Sequence, residues 1–406
     1  MEKQRILILG TYPIYPAMHG GQKRTAAIIE KYEALGHEVK YVSICTPGNY
    51  PHYRVNDLRI EKNAMHKAVA PLPSPTFTEL VVCRAAAHDD HIVNRFIKLV
   101  DRFKPTLVEY EQGYVYEFVK AIENNPLRGV GVIFSSHNVE WQMKQEIALS
   151  EGCTAESIAT YVEAVRNLEI ELLTVAKYCI VVTETDAGVY QVMVKESQAK
   201  TLVAHNGINP LQLETADRQY WQSLKSSLGI EKVIIYIASA HPPNFHGFRK
   251  LIDGVGFLPG EVRIIVAGGV SDVLRNMAKK TTDIQIATLQ NRVVLAGRLS
   301  EDRLQGLIAE SDVIMLPILE GGGSNLKTAE AIVADKPIVA TSHAFRAYEA
   351  YEHYPNTYIA DKPEAFQQAI LKALYAPTVA RNEAEQEQAT DVTWQRCLMP
   401  LETIFE

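Results

Sequence analysis

Short runs rich in β-branched residues alternate along this chain with longer segments of helical period, and the alternation begins again halfway. A strand that pairs in parallel with its neighbour needs a crossover of about a dozen residues or more, usually a helix, so this rhythm predicts parallel sheets covered on both faces. In the first half the strands are expected at 5–10, 38–44, 107–110, 131–135, 179–182 and 201–204. A helix over 22–35 puts Ala26, Ile29, Tyr32 and Leu35 on one stripe, and a long amphipathic helix follows over 157–176. The second half repeats the pattern, with strands at 233–238, 262–267, 293–295, 313–316 and 337–341 and helices over 244–255, 272–280, 302–310 and 326–334.

A chain of 406 residues exceeds the size at which one hydrophobic core usually keeps growing, so the repeated pattern reads as an α/β protein of two Rossmann-like, doubly wound domains. The turn-forming cluster at 205–210 suits a hinge between 1–206 and 207–388. Ligands of open α/β sheets bind outside the carboxyl ends of the strands, so two such domains are expected to face each other across a ligand-binding cleft.

Composition narrows the class. Apolar content of 47% with 22% charged residues describes a globular chain, and no run approaches the ~18 apolar residues of a membrane span. The N-terminus runs straight into the first strand without the pattern of a signal peptide, which argues for a cytoplasmic protein. The five cysteines, Cys45, Cys83, Cys153, Cys179 and Cys397, show neither CxxC nor Cys/His ligand spacing, so neither a disulfide framework nor a metal site is indicated. A formal net charge of −7 speaks against nucleic acid as a partner.

The loops after the strands carry the chemistry. After the apolar run 313–317 stands Glu320-Gly321-Gly322-Gly323-Ser324-Asn325-Leu326-Lys327, with Glu330 farther along the helix. Glycines let the backbone approach closely, and helix N-terminal amides with the helix dipole favour an anion. Lys327 adds charge, and Glu330 offers a carboxylate for vicinal hydroxyls, a pairing that suits a diphosphate beside a ribose. The plainer reading is a glycine-rich turn with a solvated Glu and Lys. The first strand leads to Gly20-Gly21, either a turn into the helix or backbone amides for a phosphate; a dinucleotide GxGxxG is absent. Ser136-His137-Asn138-Val139-Glu140 and His241-Pro242-Pro243-Asn244-Phe245-His246 occupy corresponding loops of the two halves; His137 reads as facing a ligand or as a buried structural histidine, and His241 and His246 as facing a ligand or capping the following helix.

Together these residues resemble the retaining glycosyltransferases of the GT-B fold, particularly family four, typified by sucrose synthases and bacterial cell-surface polysaccharide transferases. The resemblance covers essentially the whole chain. Gly20-Gly21 with Arg24 matches the family's paired-glycine loop, His137-Asn138-Val139-Glu140 its mid-domain His motif, and Asn206-Gly207-Ile208-Asn209 its interdomain turn. Gly297-Arg298-Leu299 stands where the nucleotide base is held, and Glu330-Ala331-Ile332 with Asp335-Lys336-Pro337 fits the second half of the final signature. Eight positions before Glu330 stands Gly322, so the first glutamate of the family pair is missing or displaced to Glu320; Gly321 to Lys327 is closer to the glycine-rich, lysine-bearing version of this loop. The arginine and lysine that commonly follow the first strand of the second domain are replaced by His241 and His246, so phosphate affinity is expected to weaken as histidines deprotonate above a pH of about 6.5.

The resemblance implies sugar transfer from a UDP- or GDP-linked donor, with retention of configuration and no metal or other cofactor, to a glycan, lipid-linked or other hydroxyl acceptor in polysaccharide biosynthesis at the cell envelope. His137, Lys327 and Glu320 are the candidate catalytic residues. Gly20, Gly21, Arg24, Asn138, His241, Asn244, His246, Gly297, Arg298, Leu299, Gly322, Gly323, Ser324, Asn325, Leu326 and Glu330 are the candidate donor contacts. A C-terminal helix in 389–406 is expected to cross back to the first domain. A nucleotide-sugar epimerase of the same architecture, or an inactive nucleotide-sugar-binding protein, are the other classes such a chain could serve.

The acceptor side is less defined. Residues 46–78 read as a variable recognition loop, and 79–104 as one helix with Arg84, Arg95, Lys98, Arg102 and Lys104, a basic surface suited to peripheral contact with the inner face of an anionic membrane or simply to solvent. The sequence leaves the base, the sugar and the oligomeric state open.

Overall fold

The structure is a computed structural model that describes residues 2–46, 50–69, 71–195, 198–214, 216–252, 254–278, 292–321 and 325–406. The chain divides into two compact units, one formed by Met1–His205 with Cys397–Glu406 and the other by Asn206–Arg396.

The first unit is built on strands β1 (Arg5–Gly10), β2 (Glu38–Cys45), β3 (Asp57–Arg59), β4 (Leu107–Glu111), β5 (Gly131–Ser135), β6 (Tyr178–Val181) and β7 (Lys200–Val203). They form a parallel sheet in the order β3-β2-β1-β4-β5-β6-β7. The order reverses beside β1, where β2 lies on one side and β4 on the other, and loops at such a switch point diverge to leave room for a ligand. The loops after β1, β4 and β5 therefore carry the unit's candidate residues.

The second unit has β8 (Lys232–Ile237), β9 (Val262–Ala267), β10 (Val293–Gly297), β11 (Val313–Leu316), β12 (Ile338–Ala340) and β13 (Thr357–Ile359), parallel in the order β10-β9-β8-β11-β12-β13. Alternate residues of these strands feed separate cores: Val233, Ile235, Ile265, Ile314 and Leu316 pack on one face, and Ile234, Tyr236, Ile264, Val266, Val313 and Met315 on the other. A sheet buried on both faces requires such uninterrupted apolar runs, which is why its strands stand out in the sequence. Here the switch lies at β8, between β9 and β11.

Several expected elements take a different form. The single helix expected over 79–104 is two, Thr78–Ala86 and Asp90–Phe103. The Asp89 carboxylate accepts from the amides of His91 and Ile92 and starts the second helix afresh. Arg84 pairs with Glu117, and Arg95 donates to the Val55 carbonyl, so part of the basic surface is engaged inside the unit. Residues 46–78 hold β3, the helix Lys62–Val69 and a short 3₁₀ turn at Pro75–Phe77 rather than a structureless loop. No helix among the described residues is long and apolar enough to cross a membrane.

The end of the chain serves both units in turn. Ile208 pairs with Thr393, its amide donating to the Val392 carbonyl at 3.0 Å and its carbonyl accepting from Trp394 at 3.0 Å, while Val392 sits in the core of the second unit. Beyond a four-residue helical turn, Trp394–Cys397, the chain continues as the 3₁₀ segment Met399–Ile404, which holds Pro400 near its start, rather than as one helix to Phe405. In the first unit Leu401 is fully buried, and Phe405 packs against Tyr32 and His37 with ring centroids 5.4 and 4.0 Å away. Cutting the chain after Ala389 is expected to cost at least the ~2–5 kcal/mol of stability lost when one buried leucine such as Leu401 is truncated to alanine, and so to lower the melting midpoint. Calorimetry checks this, and an unchanged midpoint would contradict the packing of the tail.

Candidate functional site

In the second unit, close backbone approach assembles the loops at the carboxyl ends of β8, β9 and β11. Gly268, with φ of +92°, lies against the Ala238 carbonyl oxygen so closely that a Cβ would overlap it, and the Val270 amide donates to that oxygen at 3.2 Å. A Cβ at Gly247 would overlap the carbonyl oxygen of Pro317, so only glycine lets the helix Pro242–Leu251 sit this near the end of β11.

This approach brings polar side chains of two loops together. Asn244 is buried, its side-chain nitrogen donating to Ser239 O and Oγ at 3.2 and 3.1 Å. The Tyr236 hydroxyl donates to the Asn244 carbonyl at 2.7 Å, and Lys327 Nζ reaches Asn244 Oδ1 at 3.4 Å. His246 Nδ1 lies 3.2 Å from Glu320 Oε1, with side chains 56% and 58% exposed, an ion-pair geometry open to solvent. His343 Nε2 meets the Gly321 carbonyl at 3.0 Å, and a Cβ at Gly321 would stand 3.8 Å from Arg346 Nη2. His343 and Arg346, on the loop after β12, join the group from a segment that carries no recognisable motif.

The helix Leu326–Ala334 begins at Asn325, whose side-chain oxygen accepts from the Lys327 amide at 3.3 Å while its nitrogen donates to Thr328 Oγ1 at 3.2 Å. One of the amides expected to face an anion is thus occupied by the helix's own cap. Gly322, Gly323 and Ser324 lie outside the described residues. Glu330 stands near enough to Lys327 for its charge to favour the ammonium form. Leu326 packs beside the core. Gly297, at φ of +71°, accepts from the Gly268 amide at 2.6 Å; Arg298 is exposed, and Leu299 packs against the core.

The electrostatics turn on one cation. Burial, followed by the Arg346 charge, outweighs the help of Glu330 and lowers Lys327 to about 8. Burial, then Lys327, lowers His241 from its ordinary value despite Glu320 nearby, and burial with Arg346 lowers His343. His241, which caps the start of its helix without a side-chain hydrogen bond, therefore loses its proton below the pH of about 6.5 expected of an ordinary histidine. Among these side chains, Lys327 changes charge in the mildly alkaline range.

In the first unit, the motif of paired glycines is filled from within. A Cβ at Gly21 would overlap the Tyr12 hydroxyl and stand 3.3 Å from His137 Nδ1. His19 caps the helix Gly20–Ala34, its Nδ1 accepting from the Gln22 amide at 3.4 Å while Gln22 Oε1 accepts from the His19 amide at 3.2 Å. Arg24 is 1% exposed and donates to the Ala204 carbonyl at 2.8 Å, so it ties the helix to the end of β7. His137 is buried, bonded through Nε2 to Glu111, with Tyr12 Oη 3.5 Å from Nδ1. Asn138 Nδ2 donates to Glu140 Oε1 at 3.4 Å. Glu111 and Tyr12 have no motif of their own; the signal for Glu111 is a charged residue closing an apolar strand.

Residues 231–375 match the family model of glycosyl transferases group 1. No curated protein matches the chain in sequence. Among solved structures, sucrose-phosphate synthase from Thermosynechococcus elongatus is similar at a TM-score of 0.69 and 15% identity, over 99% of this chain and 98% of that one. An E. coli trehalose-6-phosphate protein bound with UDP-2-fluoro glucose gives 0.63 and 14% over 97% and 98%, and Anabaena HepE in complex with UDP gives 0.60 and 16% over 99% of both chains. At such identities the likeness establishes the two-domain GT-B fold, and the family match on the second unit adds support for a glycosyltransferase.

Lys327 sets a pH dependence. In the free protein it loses its proton as pH rises through about 8, and an anion on the ammonium would stabilise the charged form. Affinity for a nucleoside diphosphate is expected to be level below that pH and to fall above it, by up to ~1.4 kcal/mol per pH unit. Calorimetric titrations from pH 6.5 to 9.5 check this; a fall complete by pH 7 would return the role to the histidines.

Proposed function

We propose that this protein is a retaining, metal-independent hexosyltransferase of family-four type, which moves a sugar from a UDP- or GDP-linked donor to a glycan, lipid-linked or other hydroxyl acceptor in cell-envelope polysaccharide biosynthesis. The observation that carries the reading is the Lys327–Asn244 contact at the carboxyl ends of β8 and β11, with Arg346 and Glu330 beside it, inside the segment that matches group 1 glycosyl transferases. That the similar E. coli and Anabaena structures hold UDP-2-fluoro glucose and UDP supports a nucleotide-sugar donor.

On this reading Lys327 and the neighbouring amides take the diphosphate, Glu330 the ribose, and Gly297 to Leu299 the base. Glu320 and His246 border the diphosphate, and His137 of the first unit binds a sugar hydroxyl. The anomeric carbon–phosphate oxygen bond breaks as the acceptor oxygen bonds to the same face, and the acceptor's proton passes to the leaving diphosphate. Positive charge placed in advance of the reaction stabilises the charge that grows there, with no nucleophilic carboxylate required.

Incubation with UDP- and GDP-sugars in the presence of a chelator is expected to give transfer or slow donor hydrolysis, with the product anomer matching the donor's. Isomerised donor, or binding without turnover, would overturn the assignment. Glu330→Ala is expected to weaken nucleotide binding by about 1.5–3 kcal/mol, the range for a hydrogen bond to a charged group. A titration giving the parent's affinity would remove Glu330 from the ribose.

A further inference from the structure

β4 ends in two glutamates, Glu109 and Glu111, which share a face of the sheet because strand residues two apart point the same way. Both are essentially inaccessible to solvent. Glu109 Oε2 accepts from the Tyr32 hydroxyl at 2.7 Å, while Glu111 Oε2 accepts from Thr25 Oγ1 at 3.1 Å and from His137 Nε2. The remaining oxygens, Glu109 Oε1 and Glu111 Oε1, are buried and make no hydrogen bond among the described residues, and the two carboxyls lie near enough for each to shift the other's proton affinity.

Two carboxylates in contact away from water cannot both ionise, so one proton serves the pair. Burial, then the adjacent Glu111, pushes Glu109 well above the usual carboxylate range. Burial would also raise Glu111, but the opposing His137, with the Glu109 bond and Arg24, brings it below that range. Glu109 is therefore the acid and Glu111 the carboxylate, its charge set against the Arg24 guanidinium.

The other side of His137 is also defined. Tyr12 Oη stands 3.5 Å from Nδ1, in the space left by the absent Cβ of Gly21, and the Tyr12 ring meets His19 edge-on at 4.9 Å. The loop bearing His137 is braced behind by Ser136 Oγ, which donates to the Asn138 carbonyl at 2.5 Å and lies 2.7 Å from the Tyr190 hydroxyl.

We propose that Glu111 is a positioning residue: it binds the Nε2–H of His137 and leaves Nδ1 to meet a substrate hydroxyl in the place the Tyr12 hydroxyl holds here. The inference rests on the sugar-binding role proposed for His137. It makes Tyr12 the group that gives way to substrate, and Glu111 a residue that acts without touching it.

Long-range proton–nitrogen spectra of the full chain with labelled histidine, assigned by loss of signal in His137→Gln, read the ring directly. A proton on Nε2 in the parent protein is expected, kept in Glu109→Gln, whose amide N–H replaces the shared proton, and lost as the fixed state in Glu111→Gln. With a nucleotide-sugar donor, Glu111→Gln is expected to lower kcat by about tenfold or more, as when a carboxylate that orients a histidine is removed. A parent His137 with its neutral-state proton on Nδ1, or a Glu109→Gln protein that loses the Nε2 proton, overturns the proposal. Failure of Glu111→Gln to fold leaves those two readings to decide it, and a parent that turns over no nucleotide-sugar refutes the sugar-binding role while the spectra still test the positioning.

Discussion

Parallel strands cannot be joined by tight hairpins, so every strand in both sheets returns through a crossover and releases its loop at the same edge. All else in this molecule follows from that constraint. It buries both faces of each sheet, and it gathers residues far apart in sequence, such as Asn244 and Lys327, at one edge of the second unit. The gathering works because backbone meets backbone there. Gly247 against Pro317 and Gly268 against Ala238 are places where a side chain has no room, so the loops after β8, β9 and β11 lie within hydrogen-bonding reach of one another.

The two units use that edge differently. In the second, Lys327 stands near Arg346 and Glu330, with His241 and His343 held toward their neutral forms, and burial lowers Lys327 to about 8. A site that holds its cation below its ordinary pKa is poised to receive an anion. In the first unit several polar side chains bond within the unit. His19 caps its own helix, Arg24 reaches the Ala204 carbonyl, and the Glu109–Glu111 pair holds His137 from inside the sheet. Buried charge is tolerated where it meets a partner, as Glu111 does in His137.

Much of the sheet architecture is legible in the sequence because burial on both faces writes it in plain apolar runs; Val262–Ala267 and Val313–Leu316 can be read to the residue. β3 and β13, three residues each at sheet edges, escape notice because they are too short to carry a periodicity. The break at Asp89 was equally hidden, since apolar spacing continues across it while the cap decides. Of the candidate site, the glycine loop and Lys327 could be singled out by type and spacing, and their link to Asn244 became visible only in three dimensions. The burial of Arg24, the partnership of Glu111 with His137 and the arrival of Arg346 from the loop after β12 depend on which strands are neighbours, which local sequence does not encode.

On the proposed function, the second unit receives a nucleoside diphosphate on Lys327 and the start of its helix. Hydrogen–deuterium exchange of the full chain, with and without UDP or GDP, tests it most directly. Slowed exchange in 238–247 and 325–330 on nucleotide binding is the result expected of that site; a bound nucleotide that protects other segments and leaves these two unchanged would contradict it.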